Sequence, residues 1–179
     1  MAEVQIRPAI AADLSTLIAI DHSCQTDYVW QMDIHHEEGQ FGAIFREIRL
    51  PRTVSVSYPR DSSTLKETWN RWSGMMVAVM DGQLAGYIRV NDEILPGIAW
   101  ITDLVIIPRF RRQGGASALL NATQTWAVQR KDHRVLLEMS SKNNPAIRLA
   151  QKFGYEFCGY NDHYYETQDI AIFFGCYIR

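Results

Sequence analysis

Cysteine is scarce: Cys24, Cys158 and Cys176 are the only three in 179 residues, and they lie far apart with no CxxC pair. Neither a disulfide framework nor a thiolate zinc site is suggested by that number and spacing. Free thiols suit a reducing compartment, so a cytoplasmic location is expected. A surplus of charge of either sign is also missing, with 18 Lys and Arg against 20 Asp and Glu and a net charge of −2. That balance argues against a protein that coats nucleic acid. No apolar run approaches the ~18 residues of a membrane span. The opening stretch Met-Ala-Glu-Val-Gln-Ile-Arg-Pro has no apolar signal core, so a soluble chain without a membrane partner is expected. Repeats, low-complexity tracts and Pro/Gly/Ser linkers are lacking too, and the length fits one domain over 1–179. What is present is a 47% hydrophobic chain, enough to bury roughly two-thirds of its unfolded surface without metal or disulfide staples.

Periodicity outlines the elements. Val4–Pro8 reads as a strand and Ala11–Asp21 as a helix with one apolar stripe. Residues 28–74 read as an insertion. Within it Val29–His35 and Phe41–Leu50 alternate around Glu38-Gly39-Gln40 and suggest a hairpin, with a helix through Phe41–Arg49 as the rival. Asp61-Ser62-Ser63-Thr64 is placed to cap a helix running to about Trp72. Met75–Met80 and Gln83–Val90 form strands around the two-residue turn Asp81-Gly82. Ile98–Ile107 is a β-branched strand stopped by Pro108, and a helix follows from Gly114 to about Gln129. After a strand at Val135–Met139, Asn144 reads as the cap and Pro145 as the first residue of a helix that Gly154 closes. Phe157–Tyr165 and Asp169–Tyr177 complete an antiparallel pair, giving an α/β (α+β) domain on a mixed, mostly antiparallel sheet.

The junction Ile101–Pro108 followed by Arg109-Phe-Arg111-Arg112-Gln113-Gly114-Gly115-Ala116-Ser117 carries the chemistry. A buried strand turns through a basic, glycine-rich loop directly into a helix. First-turn amides have no intrahelical acceptor, and the helix dipole adds partial positive charge, so this loop is suited to an anion. Arg111 and Arg112 add charges that can pair with phosphate oxygens. It is not a P-loop, because no Gly-Lys-Ser/Thr follows, and it lacks the GxGxxG order of a dinucleotide loop.

Arg111-x-x-Gly114-x-Ala116 after Ile106-x-Pro108 resembles the Arg/Gln-x-x-Gly-x-Gly/Ala signature of the GNAT superfamily of acetyl-CoA-dependent N-acetyltransferases. The block from Glu138 through Asn143-Asn144-Pro145, Ala150 and Lys152 to Gly154-Tyr155 resembles that family's second signature. The likeness covers roughly Met75–Arg179, and the tail looks most like streptothricin acetyltransferase-type members. It implies a GNAT-like twisted sheet flanked by helices and acetyl-CoA as cosubstrate, with no metal. By position, Leu104, Val105 and Ile106 would line the thioester and pantetheine arm. The amides of Arg112, Gln113, Gly114, Gly115, Ala116 and Ser117, with Arg111 beside them, would cradle the pyrophosphate. Asn144 would contact the pantetheine arm, with Asn143 as the alternative register. A homodimer is a further expectation by analogy.

The resemblance breaks at one place. The family's usual acid, a tyrosine seven residues after the first asparagine, is replaced by Ala150. Tyr155, Tyr160, Tyr164 and Tyr165 are the substitutes, with Tyr164 chosen here, and water is the other route. Asp103 is the preferred base over Glu138, because a carboxylate inside a β-branched strand is costly unless it faces a wet cleft or a partner. Alternation puts Asp103 on the face opposite Leu104 and Trp100. Tyr28, Trp30, Phe41 and Phe45 near Asp27, Asp33 and Glu37 suggest either an acceptor pocket or a core patch. His35-His36-Glu37-Glu38 reads as a solvated turn, since adjacent strand residues point to opposite faces. The expected activity is acetylation of a primary amine on a small molecule. The alternatives are a protein or peptide amine, or a degenerate domain that senses acetyl-CoA.

Overall fold

In a computed structural model, which describes residues 3–71 and 74–179, the strands β1 (Val4–Pro8), β4 (Gly74–Met80), β5 (Gln83–Asn91), β6 (Ile98–Ile106), β7 (Arg134–Ser140), β8 (Glu156–Asn161) and β9 (Ala171–Tyr177) form one sheet. Their spatial order is β1-β4-β5-β6-β7-β9-β8. Only β6 and β7 run parallel; the other neighbours are antiparallel. This matches the mostly antiparallel α+β architecture expected. Asp81 (φ 49°) and Gly82 (φ 72°) make the β4–β5 turn, as their dipeptide predicted.

Two apolar layers hold the sheet. On one face Ile88, Ile101, Leu137 and Phe174 pack with Leu119 and Leu120 of α3 (Gly115–Gln129) and Ile147 and Ala150 of α4 (Asn144–Lys152). On the other, Met75, Val77, Tyr87 and Val105 pack with Leu17 of α1 (Leu14–Ile18) and Leu65 of α2 (Leu65–Thr68). Burying such side chains contributes about 1.5–3 kcal/mol each.

The insertion is a long hairpin rather than a helix. β2 (Cys24–Glu37) pairs with β3 (Gln40–Val56) as a separate two-stranded sheet. Its Trp30 N–H donates to Ser141 O at 2.9 Å, and Arg148 of α4 reaches Glu47 at 2.6 Å. The hairpin therefore lies against the β7–α4 corner. The helix expected after Asp61 is only a short turn at Ser62–Thr64 followed by α2; Asp61 does cap it, accepting from Ser63 N–H at 2.8 Å. Trp72, the expected end of that helix, lies outside the described residues. The last strand pair is shorter than expected, because β8 ends at Asn161 and leaves Tyr164 and Tyr165 in the connecting loop.

Candidate active site

The site is built where β6 and β7 part. Their parallel pairing runs only from Ile98↔Arg134 to Ile101↔Leu137. Beyond it β6 stays on β5 and β7 stays on β9, so the two strands open into a fork. The phase of β6 within the fork can be read from its bonds. Ile107 N–H donates to Ala85 O at 2.8 Å, so Ile107 and Val105 aim their main-chain groups at β5. Leu104 and Ile106 then aim theirs away from β5, into the gap. Ile106 O is taken by Arg111 Nε at 2.9 Å, and Thr102 O by Arg60 Nη1 at 3.1 Å. Leu104 therefore presents an amide and a carbonyl where β7 no longer runs alongside.

Of the three residues expected to line the thioester, Leu104 is the one whose main chain faces the gap. The main chain of Val105 belongs to β5, and the residue is buried among Leu17, Leu65 and Tyr87. The carbonyl of Ile106 is spent on bracing the next loop.

At the wide end of the fork, Arg112 (φ 64°) and Gly114 (φ 95°) take left-handed conformations around Gln113. This is the kind of backbone that turns successive N–H groups toward one point. Ala118 N–H makes the first intrahelical bond, to Gly114 O at 2.9 Å. The first-turn amides of Gly115, Ala116 and Ser117 are thus available to an anion. A side chain at Gly114 would be strained by the positive φ, although a Cβ there would meet only open space. Arg111 differs from the expectation. Its guanidinium is bonded to main-chain carbonyls of Ile106, Asp21 (3.3 Å) and Ser23 (2.7 Å), so it fastens the loop to the end of α1's connection rather than offering a free charge. Arg112 is exposed and carries the loop's outward charge.

Asn144 is corrected in one respect. The cap of α4 is Asn143, whose side chain accepts from Ala146 N–H at 3.2 Å. Asn144 is the first helical residue, and its buried side chain accepts from Trp30 Nε1–H at 3.0 Å. The hairpin is thereby locked to the second signature.

The narrow end of the fork is lined with side chains. A bulge at Thr102 (Arg89↔Asp103, then Val90↔Ile101) resets the alternation of β6. Asp103 is turned off the face it would share with Ile101 and joins the side on which Trp100 and Glu138 project, against the expectation from simple alternation. Nor does it face a wet cleft, for Asp103 is fully enclosed. It accepts hydrogen bonds from Tyr58 Oη and from Thr102 Oγ1 (2.8 Å), with Arg89 at 3.5 Å and Arg60 at 3.8 Å. Burial first, and then the neighbouring Glu138 charge, pushes its pKa up to about 7.

Glu138, the first residue of β7 past the paired stretch, gathers three donors: Arg60 Nη2, Trp100 Nε1 at 3.0 Å and Tyr164 Oη at 3.2 Å. Tyr164 is partly exposed, and its pKa is raised by burial and by Glu138, so the phenol keeps its proton at neutral pH. The other tyrosines are placed less well. Tyr155 is buried beside Gln124, Tyr160 packs on Phe45 from an edge strand, and Tyr165 lies buried under the Arg60 guanidinium, 5.1 Å from it. Ala150 is wholly buried in the core with Ile147.

The supposed acceptor lining of the hairpin disperses. Phe41 stands at the tip, 90% exposed, Phe45 packs on Phe157, Asp33 pairs with Arg46, and Asp27 bonds Thr53. Arg60, Tyr58 and Arg89 complete the site without having been marked by any local pattern. Among the described residues there is no group of three or more His, Cys, Asp or Glu able to hold a metal ion, and no helix is long and apolar enough to cross a membrane.

Residues 42–155 match the sequence profile of the Acetyltransferase (GNAT) family. The chain belongs to that family. It is 31% identical over 134 residues, 69% of this chain and 87% of the other, to a Bacillus subtilis (strain 168) protein whose assignment as a ribosomal protein bS18-alanine N-acetyltransferase is provisional. Its fold is similar to that of a nourseothricin acetyltransferase, with a TM-score of 0.83 and 22% identity covering 98% of this chain and 99% of that one. A provisionally assigned streptothricin acetyltransferase from Bacillus anthracis str. Ames, solved with acetyl coenzyme A, gives a TM-score of 0.75 at 18% identity, covering 98% and 100%. The GNAT chain described here is accordingly an acetyl-CoA-dependent N-acetyltransferase. The fork fits that cosubstrate: it has a loop whose first-turn amides are suited to an anion at one end, and an unpaired strand edge leading to carboxylates and tyrosine at the other.

Proposed function

We propose that this GNAT enzyme acetylates a primary amine of a small molecule, and that transfer takes place at the narrow end of the β6–β7 fork. The observation that carries this reading is the cover over that end. Tyr58 and Arg60 close it from one side through Asp103, Thr102 O and Glu138, while the hairpin is fastened farther along the fork, at Ser141 and Asn144. A compact amine suits a transfer point covered on that side better than a polypeptide terminus, which needs a groove continuing outward.

When bound, acetyl-CoA supplies an activated acyl group. In our reading the amides of Gln113 to Ser117 hold its pyrophosphate, and the Leu104 N–H is a fixed donor for an oxygen that gains negative charge. Tyr164 holds a transferable proton at the narrow end of the fork, oriented by Glu138, and is the proposed general acid. Asp103 has no open face. Its proposed part is to set the charge of the cluster behind Tyr58 rather than to touch the amine.

A protein N-terminus is the second reading, favoured by the 31% identity to the bS18-alanine relative. Thiol release from acetyl-CoA, measured over lysine, spermidine, an aminoglycoside, a streptothricin and an alanine-initiated hexapeptide, separates the two. Turnover with one of the small amines well above the peptide is expected. Turnover confined to the peptide contradicts the proposal.

A further inference from the structure

Arg60 belongs to neither family signature, yet it is the side chain that spans the fork. One nitrogen donates to Thr102 O of β6 and the other to the Glu138 carboxylate of β7, just beyond the last paired residues Ile101 and Leu137. Its plane lies over the Tyr165 ring, and the adjacent Asp103 carboxylate is 3.8 Å away. Glu138 is 1% exposed, so without a cationic partner it would be a buried, uncompensated charge. The same carboxylate bonds Trp100 and Tyr164. One guanidinium thus sets the separation of two diverging strands and the position of the group that orients the phenol. A lysine could not do this, because a point charge lacks the fork of donors needed to hold a carbonyl and a carboxylate together.

We propose that Arg60 is a positioning residue for acetyl transfer: it staples β6 to β7 at the narrow end of the fork and holds Glu138 in register with Tyr164. The residue comes from the segment joining the hairpin to α2, so the insertion takes part in shaping the site. This rests on the reading that transfer occurs at the fork.

The test compares Arg60→Met, Arg60→Lys, the double variant Arg60→Met/Glu138→Gln and Tyr164→Phe. Each is measured for kcat and KM with acetyl-CoA and the best acceptor of the amine panel, for acetyl-CoA affinity by calorimetry, and for Tm. Arg60→Met should lower kcat by roughly 10²-fold, the scale on which small misplacements act, and should lower Tm, while acetyl-CoA affinity is unchanged. Arg60→Lys should fall between Arg60→Met and the unmodified enzyme. In the double variant Tm should recover, because the unpaired carboxylate is gone, but kcat should stay low. If kcat recovers together with Tm, Arg60 only neutralises Glu138 and the proposal is overturned; wild-type kcat in Arg60→Met, or full rescue by lysine, overturns it as well. Tyr164→Phe separates this proposal from the reading beneath it. A slow Tyr164→Phe beside a fast double variant defeats the staple alone. A fast Tyr164→Phe beside a slow double variant defeats the role of Tyr164 and leaves the staple standing.

Discussion

The two ends of the β6–β7 fork are made of different material. At the wide end, the loop from Pro108 to Ser117 offers main-chain amides, with left-handed Arg112 and Gly114 shaping the backbone and Arg111 spent on bracing it. At the narrow end nearly everything is side chain, and it comes from distant parts of the chain: Tyr58, Arg60, Arg89, Trp100, Asp103, Glu138 and Tyr164. A backbone cradle depends on local conformation and tolerates many side chains. A network of buried charges depends on each identity, since a lost partner strands the rest. The wide end should therefore govern affinity for acetyl-CoA, and the narrow end should govern rate.

The largest expected effect is at the narrow end. Tyr164→Phe should lower kcat by about 10²–10⁴-fold, the usual range for a positioned acid, with acetyl-CoA affinity intact in calorimetry. Loss of affinity with normal turnover would reverse the assignment of the two ends. Next, Gly114→Val should weaken acetyl-CoA by at least tenfold. A left-handed conformation costs a side-chain-bearing residue ~1–2 kcal/mol, and a loop that relaxes to escape that strain loses about a factor of ten in affinity, because its amides no longer converge. Its kcat at saturating acetyl-CoA should be largely kept.

A titration sharpens the contrast from the side of stability. Asp103 has a folded pKa of about 7, above the ~3.9 of an unfolded aspartate. Between those values the folded state keeps a proton that the unfolded state has lost. Its stabilising contribution is thus complete below pH ~4 and disappears as pH rises through 7. The Tm of the unmodified enzyme minus that of Asp103→Asn should therefore fall steadily from pH 4.5 to 8. A difference that is flat, or that grows with pH, would place an ionised Asp103 in the fold. The smallest effect is at the seam between hairpin and fork. Trp30→Phe leaves the buried Asn144 oxygen without its donor, at a cost of about 1–3 kcal/mol. Tm should fall by ~2–4 °C per kcal/mol, with a modest loss of acetyl-CoA affinity.

These differences also explain what could be read from the amino-acid order. The anion loop and the Asn143–Gly154 block are local, so their spacing exposed them, as did the turn at Asp81-Gly82. The hairpin followed from alternation around Gly39, although β3 runs from Gln40 to Val56 with its pairing to β2 broken between Arg49 and Val54, where Pro51 lies. The narrow end was less legible. A single extra residue at Thr102 moved Asp103 to the other face, and no period-two pattern contains a bulge. Arg60 and Tyr58 join the site only through the fold around them. Asn144 was misjudged as the cap because Asn143 and Asn144 satisfy the same rule, and only the bonds to Ala146 and Trp30 tell them apart.

The division of labour along the fork is tested most directly by a crystal structure of the enzyme with acetyl-CoA. The pyrophosphate is predicted to lie on the amides of Gln113 to Ser117, and the acetyl carbonyl within ~3.2 Å of Leu104 N, with Tyr164 and Glu138 beside it. A cosubstrate seated outside the fork, or an acetyl group far from both Leu104 and Tyr164, would contradict the account.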